Sequence, residues 1–380
     1  MEVEMNRTAR QEMINGWDQK IIREAKILVV GAGTTGNEII KNLALLGVGN
    51  INIIDCDKVE EVNLSRSVLF QGEDIDQPKA ETAAKRALKI NPHIQVSGRT
   101  CDVVHDIGNL EYSNFNCVIL AVDNLEARMW VNRYCWLNQI LLIDTGIDSL
   151  LGNVFVMAPP LGSCLECGWY MADYRRLSEK YSCLKIGLVS EEPKIPMVIT
   201  TAAVIAGIAT QECVRLLHEK KSESVSRTGI LYWYSSEQNT ILKSIKIDKK
   251  EECPGHDHVF EELKILPIDL EITTKVEEIK NKVATAIDAD VVELWHDKEI
   301  VYSAVCNECS CTQEIAPIPL GKFKRLKCPS CNNQSLVPKD FTAEIRSGFA
   351  PTELNIPHNH LVRVVFSSQD SIREAWLILR

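Results

Sequence analysis

The 380-residue sequence has no excess of positive charge; its formal net charge is −10. That balance argues against a chain whose main partner is nucleic acid. It also lacks an uninterrupted apolar run of membrane-spanning length. The longest apolar stretch, Met197 to Leu217, is broken by Thr200, Thr201, Thr210, Gln211, Glu212 and Arg215. It therefore reads as a core helix. No apolar presequence opens the sequence, since Met1–Gln19 is polar and charged. The expectation is a cytoplasmic protein with no membrane partner. Internal repeats and low-complexity tracts are absent too. The 14 cysteines do not suggest a disulfide framework, because the chain is long and carries no export signal.

What is present is an apolar content of 45%, ample for a packed core, in a length that suits two domains. Six cysteines fall in C-x-x-C pairs, Cys164/Cys167, Cys306/Cys309 and Cys328/Cys331, a spacing that suits zinc. Cys306, Cys309, Cys328 and Cys331 read as the four thiolates of a structural zinc ribbon within residues 304–335, with Cys311 a bystander. Cys56, Cys101, Cys117, Cys135 and Cys213 lie in or beside apolar segments and read as core residues.

"AKILVVGAGTTGNEIIKNLALLGVGNINIIDCD" reads as strand, glycine turn, helix and strand. Further strands are expected at "CVILAVDN" and "ILLID", separated by the helical "LEARMWVNRYCWLN". This alternation predicts an α/β fold, a doubly wound and mostly parallel sheet with ligands at the carboxyl ends of its strands. After Cys167 the sequence turns irregular through Pro196, and 168–196 is taken as a functional crossover loop. A boundary near residues 249–258 sets a first domain, 1–258, apart from a second, 259–380. The second reads as α+β, from "LKILPI" through the helical "TKVEEIKNKVATAI" to "HLVRVVF" and "EAWLIL".

The G-x-G-x-x-G of Gly31, Gly33 and Gly36 follows a strand and opens a helix, the context that phosphate binding demands. Asp55 ends the next strand, placed to accept hydrogen bonds from a ribose. Taken alone, this fingerprint means NAD more often than ATP. Arg66 and Lys79 break the tie, because hydride transfer needs no pair of cations there. An ATP site that transfers AMP does need them, for charge on the α-phosphate and on departing pyrophosphate. Asp123 is a fitting carboxylate for magnesium.

The segments "RTARQ", "GAGTTGNE", "GVGNINIIDCDKVEEVNLSRS", "QPKA", "INPH", "AVDNLEAR", "CLEC" and "SCLKIGLVSEEPKIP" resemble, in order and spacing, the ubiquitin-activating-enzyme superfamily. That superfamily includes the ThiF-type adenylyltransferases of thiamine and molybdopterin biosynthesis, and the resemblance covers residues 7 to about 256. It implies a Rossmann-like adenylation domain in which Asp55 holds the ATP ribose, with Asp57 and Asn63 close by. Arg66 and Lys79 would hold the phosphates, Gly31, Gly33, Thr34 and Gly36 would line them, and Asp123 would hold Mg²⁺. Arg10 would reach the ATP of a partner subunit, implying a homodimer, with Arg7 a lesser candidate for that role. Thr34 departs from the family's usual glycine and could crowd the phosphates.

By the same resemblance Cys183 is the reactive cysteine, with Lys185 lowering its pKa. Cys164 and Cys167 would share a structural zinc with Cys253 and His256, His258 competing for the fourth position. Residues 259–380 resemble an extended ubiquitin-fold domain that recruits a conjugating enzyme. The implied function is activation of a ubiquitin-like protein ending in glycine, first as an acyl adenylate and then as a thioester on Cys183. The alternatives are activation of a sulfur-carrier protein, an NAD(P) oxidoreductase and a non-catalytic scaffold.

Overall fold

The computed structural model describes residues 7–181, 196–221, 227–256, 265–289, 291–323, 326–368 and 371–380. The described residues within Met1–Val103, Tyr112–Trp169 and Lys194–Val259 form one compact unit. Those within Val104–Glu111, Tyr170–Pro193 and Phe260–Arg380 form another. The second unit thus takes two short excursions from the first part of the chain, which a single boundary at 258 did not foresee.

The first unit holds an eight-stranded sheet in the order β3-β2-β1-β4-β5-β6-β7-β8. Strands β1 (Lys26–Val30), β2 (Asn50–Asp55), β3 (Gln95–Thr100), β4 (Cys117–Leu120) and β5 (Leu141–Asp148) are parallel. Strands β6 (Leu151–Met157), β7 (Ile230–Ser235) and β8 (Ile241–Lys246) extend it antiparallel. Ile27 to Val30 and Cys117 to Leu120 are buried without a break, as expected of parallel strands covered on both faces. The helices are α1 (Ala9–Glu12), α2 (Gln19–Glu24), α3 (Thr34–Leu46), α4 (Lys79–Ile90), α5 (Leu125–Leu137) and, after α6 of the second unit (Met171–Tyr181), α7 (Ile199–Lys221).

Helix α3 stops at Gly47, whose left-handed backbone lets the amides of Gly47 and Val48 return to the carbonyls of Ala44 and Leu43. Ile39, Ile40 and Leu43 of α3 and Ile205, Ala209 and Cys213 of α7 share one core with the sheet. The stretch read as a core helix is therefore one, and no described helix is long and apolar enough to cross a membrane.

The second unit is built on an antiparallel five-stranded sheet. Its strands are β9 (Val291–Cys306), β10 (Thr312–Pro319), β11 (Leu336–Glu344), β12 (His360–Ser368) and β13 (Ser371–Leu379), with helices α8 (Val276–Ile287) and α9 (Leu320–Phe323). Strand β9 serves two neighbourhoods. Its first part pairs with β12 and packs Leu294 with Ile279 and Val283 of α8, while its last part pairs with β10 and β11 around Val301, Ala304 and Phe323.

Candidate active site

The strand order reverses between β1 and β4, and the carboxyl ends there open the crevice where doubly wound sheets take ligands. β1 runs into Gly31 at φ +95°, where a Cβ would lie 2.4 Å from the Ala121 carbonyl oxygen. A Cβ on Gly36 would lie 2.0 Å from the Gly31 oxygen, so this glycine lets α3 approach the turn. Among the described residues nothing lies within 4 Å of a Cβ placed on Gly33. Gly33 caps α3 without a side-chain bond, leaving the first amides of the helix to face an anion. Asn37, fully buried, donates to the carbonyls of Ala32 (2.6 Å) and Gly33 (3.1 Å) and accepts from the Leu69 amide (2.9 Å). It ties the glycine turn to the stretch carrying Arg66. The sequence reading missed Asn37, whose signal was a polar residue on the buried face of an apolar helix.

Asp55 stands at the end of β2. Its Oδ2 accepts from the Ala32 amide at 2.7 Å and its Oδ1 from the Asp57 amide at 2.8 Å. A carboxylate with two such bonds still has acceptor sites for ribose hydroxyls. Burial raises its pKa above the usual aspartate value, with Lys79 pulling the other way. Lys79 is the first residue of α4, and its Nζ rests 3.0 Å from Asp57 Oδ2. Burial alone would lower the Lys79 ammonium, but Asp55 and Asp57 outweigh it and hold its pKa above the ordinary lysine value. Asp57 thus acts on Lys79 rather than on open space.

Arg66 donates to the Val62 carbonyl at 3.0 Å and has no ion pair among the described residues. Asp123 is exposed just beyond β4. Asn63 is buried and its Oδ1 accepts from the Glu60 amide at 2.8 Å, closing a short turn before Arg66. Thr34 does not crowd the side of Gly33, because its hydroxyl faces Met197 Sδ at 3.3 Å. Arg10 is exposed on α1, whereas Arg7 donates to the Ile90 carbonyl. Cys183, Lys185 and His258 lie outside the described residues.

The turn carrying Asp123 is held from below. Arg128 reaches both Asp144 oxygens at 2.5 Å, the Val122 carbonyl at 2.6 Å and the Thr145 carbonyl at 2.8 Å. Burial raises the Asp144 carboxyl, and Arg128 opposes that rise. Removing the guanidinium leaves a buried carboxylate without its counter-charge. Arg128→Ala is expected to destabilise the protein by about 3–5 kcal/mol in urea unfolding.

The two cysteine-rich clusters expected to hold zinc bring their ligand atoms together. Cys164 Sγ lies 3.8 Å from Cys167 Sγ and 3.6 Å from Cys253 Sγ, and Cys167 Sγ lies 3.2 Å from His256 Nε2. Zinc–sulfur bonds of 2.3 Å make a tetrahedron with edges of roughly 3.8 Å, so the donor set fits the metal. Buried Glu166 fixes this knuckle through Arg133 (2.9 and 2.8 Å) and Asn132 (3.0 Å), and the His256 ring stacks on Trp136 at 4.9 Å.

In the second unit Cys306, Cys309, Cys328 and Cys331 converge, with Cys306–Cys331 at 3.6 Å and Cys309–Cys328 at 3.7 Å. Each C-x-x-C turns on a left-handed residue, Ser310 or Asn332, whose amide returns to the first cysteine's carbonyl. Cys311 lies beside the cluster, its Sγ 3.1 Å from that of Cys309, because β10 starts right beside the knuckle, but it is not among the four converging ligands. One expectation needs correction. Cys56 is exposed and Cys101 only partly covered, because both sit past the ends of their strands rather than in the core.

Comparison with known proteins bears on the family and the fold. Residues 5–255 match the ThiF family. The sequence is 38% identical over 147 residues to SUMO-activating enzyme subunit 2 of Dictyostelium discoideum, covering 38% of this chain and 22% of that protein. It is 34% identical over 165 residues to the NEDD8-activating enzyme E1 catalytic subunit of Arabidopsis thaliana, covering 38% of this chain and 35% of that one. The matched stretch is thus well under half of either relative's length. The fold is similar to that of E. coli MccB crystallised with ATP, with a TM-score of 0.55 and 21% identity over 67% of this chain and 74% of MccB. With more than half of its length matched, the chain belongs to the ThiF family.

Proposed function

We propose that this protein is an ATP-dependent adenylyltransferase that activates the C-terminal glycine of a ubiquitin-like protein. The observation that supports the reading is Asp55 at the end of β2, bonded to the Ala32 amide of the glycine turn, with Lys79 held beside it through Asp57; Arg66 and Asp123 follow β2 and β4 along the chain and are assigned to the same site. The names of the SUMO- and NEDD8-activating relatives support it.

Asp55 accepts from the ribose, and the amides at the start of α3 receive the phosphates. The glycine carboxylate of the modifier attacks the α-phosphorus, the bond to the β-phosphate oxygen breaks, and pyrophosphate leaves. Arg66 and Lys79 face the charge that grows in that step. Arg10, exposed on α1, serves the nucleotide of a second copy in a homodimer. Asp123 offers an oxygen ligand for Mg²⁺, which when bound neutralises phosphate charge. Zinc belongs to Cys164, Cys167, Cys253 and His256 and to Cys306, Cys309, Cys328 and Cys331. The Cys183 thiolate then attacks the acyl carbonyl and releases AMP, and a conjugating enzyme recruited by the second unit collects the thioester.

Purified protein with Mg-ATP and a ubiquitin-like protein ending in glycine should exchange radiolabelled pyrophosphate into ATP. Cys183→Ala should keep that exchange and lose a modifier adduct that dithiothreitol cleaves. A thiocarboxylate product without the adduct would move the assignment to sulfur-carrier activation. Absence of exchange would remove adenylation itself.

A further inference from the structure

The second unit holds two buried histidines beside a solvent-reaching aspartate, a cluster that the proposed adenylation does not use. β9 pairs with β12 up to Trp295, with β11 at Trp295 and again from Ile300, and with β10 from Ile300. His296 and Asp297 lie in the stretch of β9 between, where the register with β11 shifts, and His360 opens β12. The two imidazoles stack with centroids 4.7 Å apart, and each Nε2 stands 3.4 Å from the same oxygen, Asp297 Oδ1. His360 is 0% exposed and His296 6%, yet among the described residues neither Nε2 has a hydrogen-bond partner of good geometry. A buried polar atom left without a partner costs about 1–3 kcal/mol. Two of them turned toward one carboxylate call for a common partner.

We propose that His296, Asp297 and His360 form a further metal centre, taking a divalent ion of the zinc class through two imidazole nitrogens and one carboxylate oxygen. Bonds of about 2.0–2.2 Å to such ligands give a tetrahedron with edges of roughly 3.4 Å. That is the separation both nitrogens keep from Oδ1. All three ligand atoms lie within 4.8 Å of one another. Two neutral imidazoles and one carboxylate suit a borderline-soft cation better than Mg²⁺ or Ca²⁺.

The surroundings are compatible with this assignment. His296 Nδ1 lies 3.0 Å from the Lys298 carbonyl, and donation there leaves the Nε2 lone pair for the ion. At His360 the Asn109 amide reaches Nδ1 at 3.4 Å, a long contact that favours Nε2–H in the metal-free protein. Binding moves that proton off Nε2 and gives up this weak bond. Lys298 Nζ lies 3.1 Å from Asp297 Oδ1, so the ammonium neutralises the carboxylate when no ion is bound. The carboxylate has acceptor sites enough for both. The Asp297 side chain is 22% exposed, which leaves a route in from solvent. An ion here would cross-link the middle of β9 to the start of β12.

The test is a difference in metal content. Full-length protein saturated with Zn²⁺ alone, then freed of loose ion by gel filtration, is assayed by plasma mass spectrometry. Wild type is expected to hold one equivalent more than Asp297→Asn and one more than His360→Gln. The extra equivalent should also raise the wild-type melting temperature over that of Asp297→Asn only when zinc is added. Because Asp297 reaches solvent, its variant keeps the count readable even where His360→Gln folds poorly. Equal zinc content in wild type and Asp297→Asn overturns the proposal.

Discussion

Lys79→Ala is expected to lower ATP–pyrophosphate exchange by about 10²–10³-fold, the usual effect of deleting one preorganised group that stabilises transition-state charge. The side chain is 12% exposed and already aimed, because α4 begins at this residue and Asp57 holds the ammonium at 3.0 Å. The two carboxylates keep it protonated, so in the proposed reaction it would meet the α-phosphate as a full charge. Little reorganisation remains to be done when the nucleotide arrives. Asp57→Asn removes only the tether and should cost far less activity. Urea unfolding separates a lost charge from a lost fold, since the Lys79–Asp57 pair is largely open on the Asp57 side, at 64% exposure. Exchange by Lys79→Ala at the wild-type rate, with the fold intact, would sink the phosphate assignment.

Stripping the metal from the cluster of Cys164, Cys167, Cys253 and His256 should have the largest effect on stability. Structural zinc sites carry apparent binding free energies of about 10–16 kcal/mol at neutral pH, and that energy is folding energy. Cys164 and Cys253 are 89 positions apart, so the link also restrains the unfolded chain. On the chain-entropy scale for a loop of this size the restraint is about 4–5 kcal/mol. Cys253→Ser is therefore expected to leave the first unit unfolded at growth temperature, and a strong chelator should lower the melting temperature of the wild type sharply. A zinc-free preparation that melts with the metal-loaded protein would show that packing around Glu166 and Trp136 suffices alone.

The sequence made the nucleotide side legible because its signals are local. A strand, three glycines and a helix fall within a few residues, and Asp55 closes the next strand. Arg66 and Lys79 were marked through their distance from that strand end, and the structure sets Lys79 beside Asp57. Features set by tertiary packing were not legible. β3 is a half-exposed edge strand with the pattern QVSGRT, which carries no apolar alternation. β6 turns back on β5 through Ser149 in a left-handed conformation, a hairpin that the reading as successive parallel strands did not anticipate. Asn37 looked like one more helical residue until its two ends met Gly33 and Leu69. His296 and His360 lie far apart in sequence, and only the pairing of β12 with β9 brings them to one carboxylate. Thr34 seemed an intrusion near phosphate, but helix geometry turns its hydroxyl toward Met197.

The order in which the chain leaves the ribosome gives the first cluster a further consequence. Cys164 and Cys167 emerge early, while β7, β8, Cys253 and His256 are still untranslated. Two thiols alone make a weak and exchangeable chelate, so the nascent protein must keep this half-site reduced while α7 and the last strands of the sheet are made. If this cluster takes the zinc proposed for it, capture can close only when residue 256 is clear of the exit tunnel, and a shortage of the metal during synthesis would halt folding with the parallel half of the sheet already made.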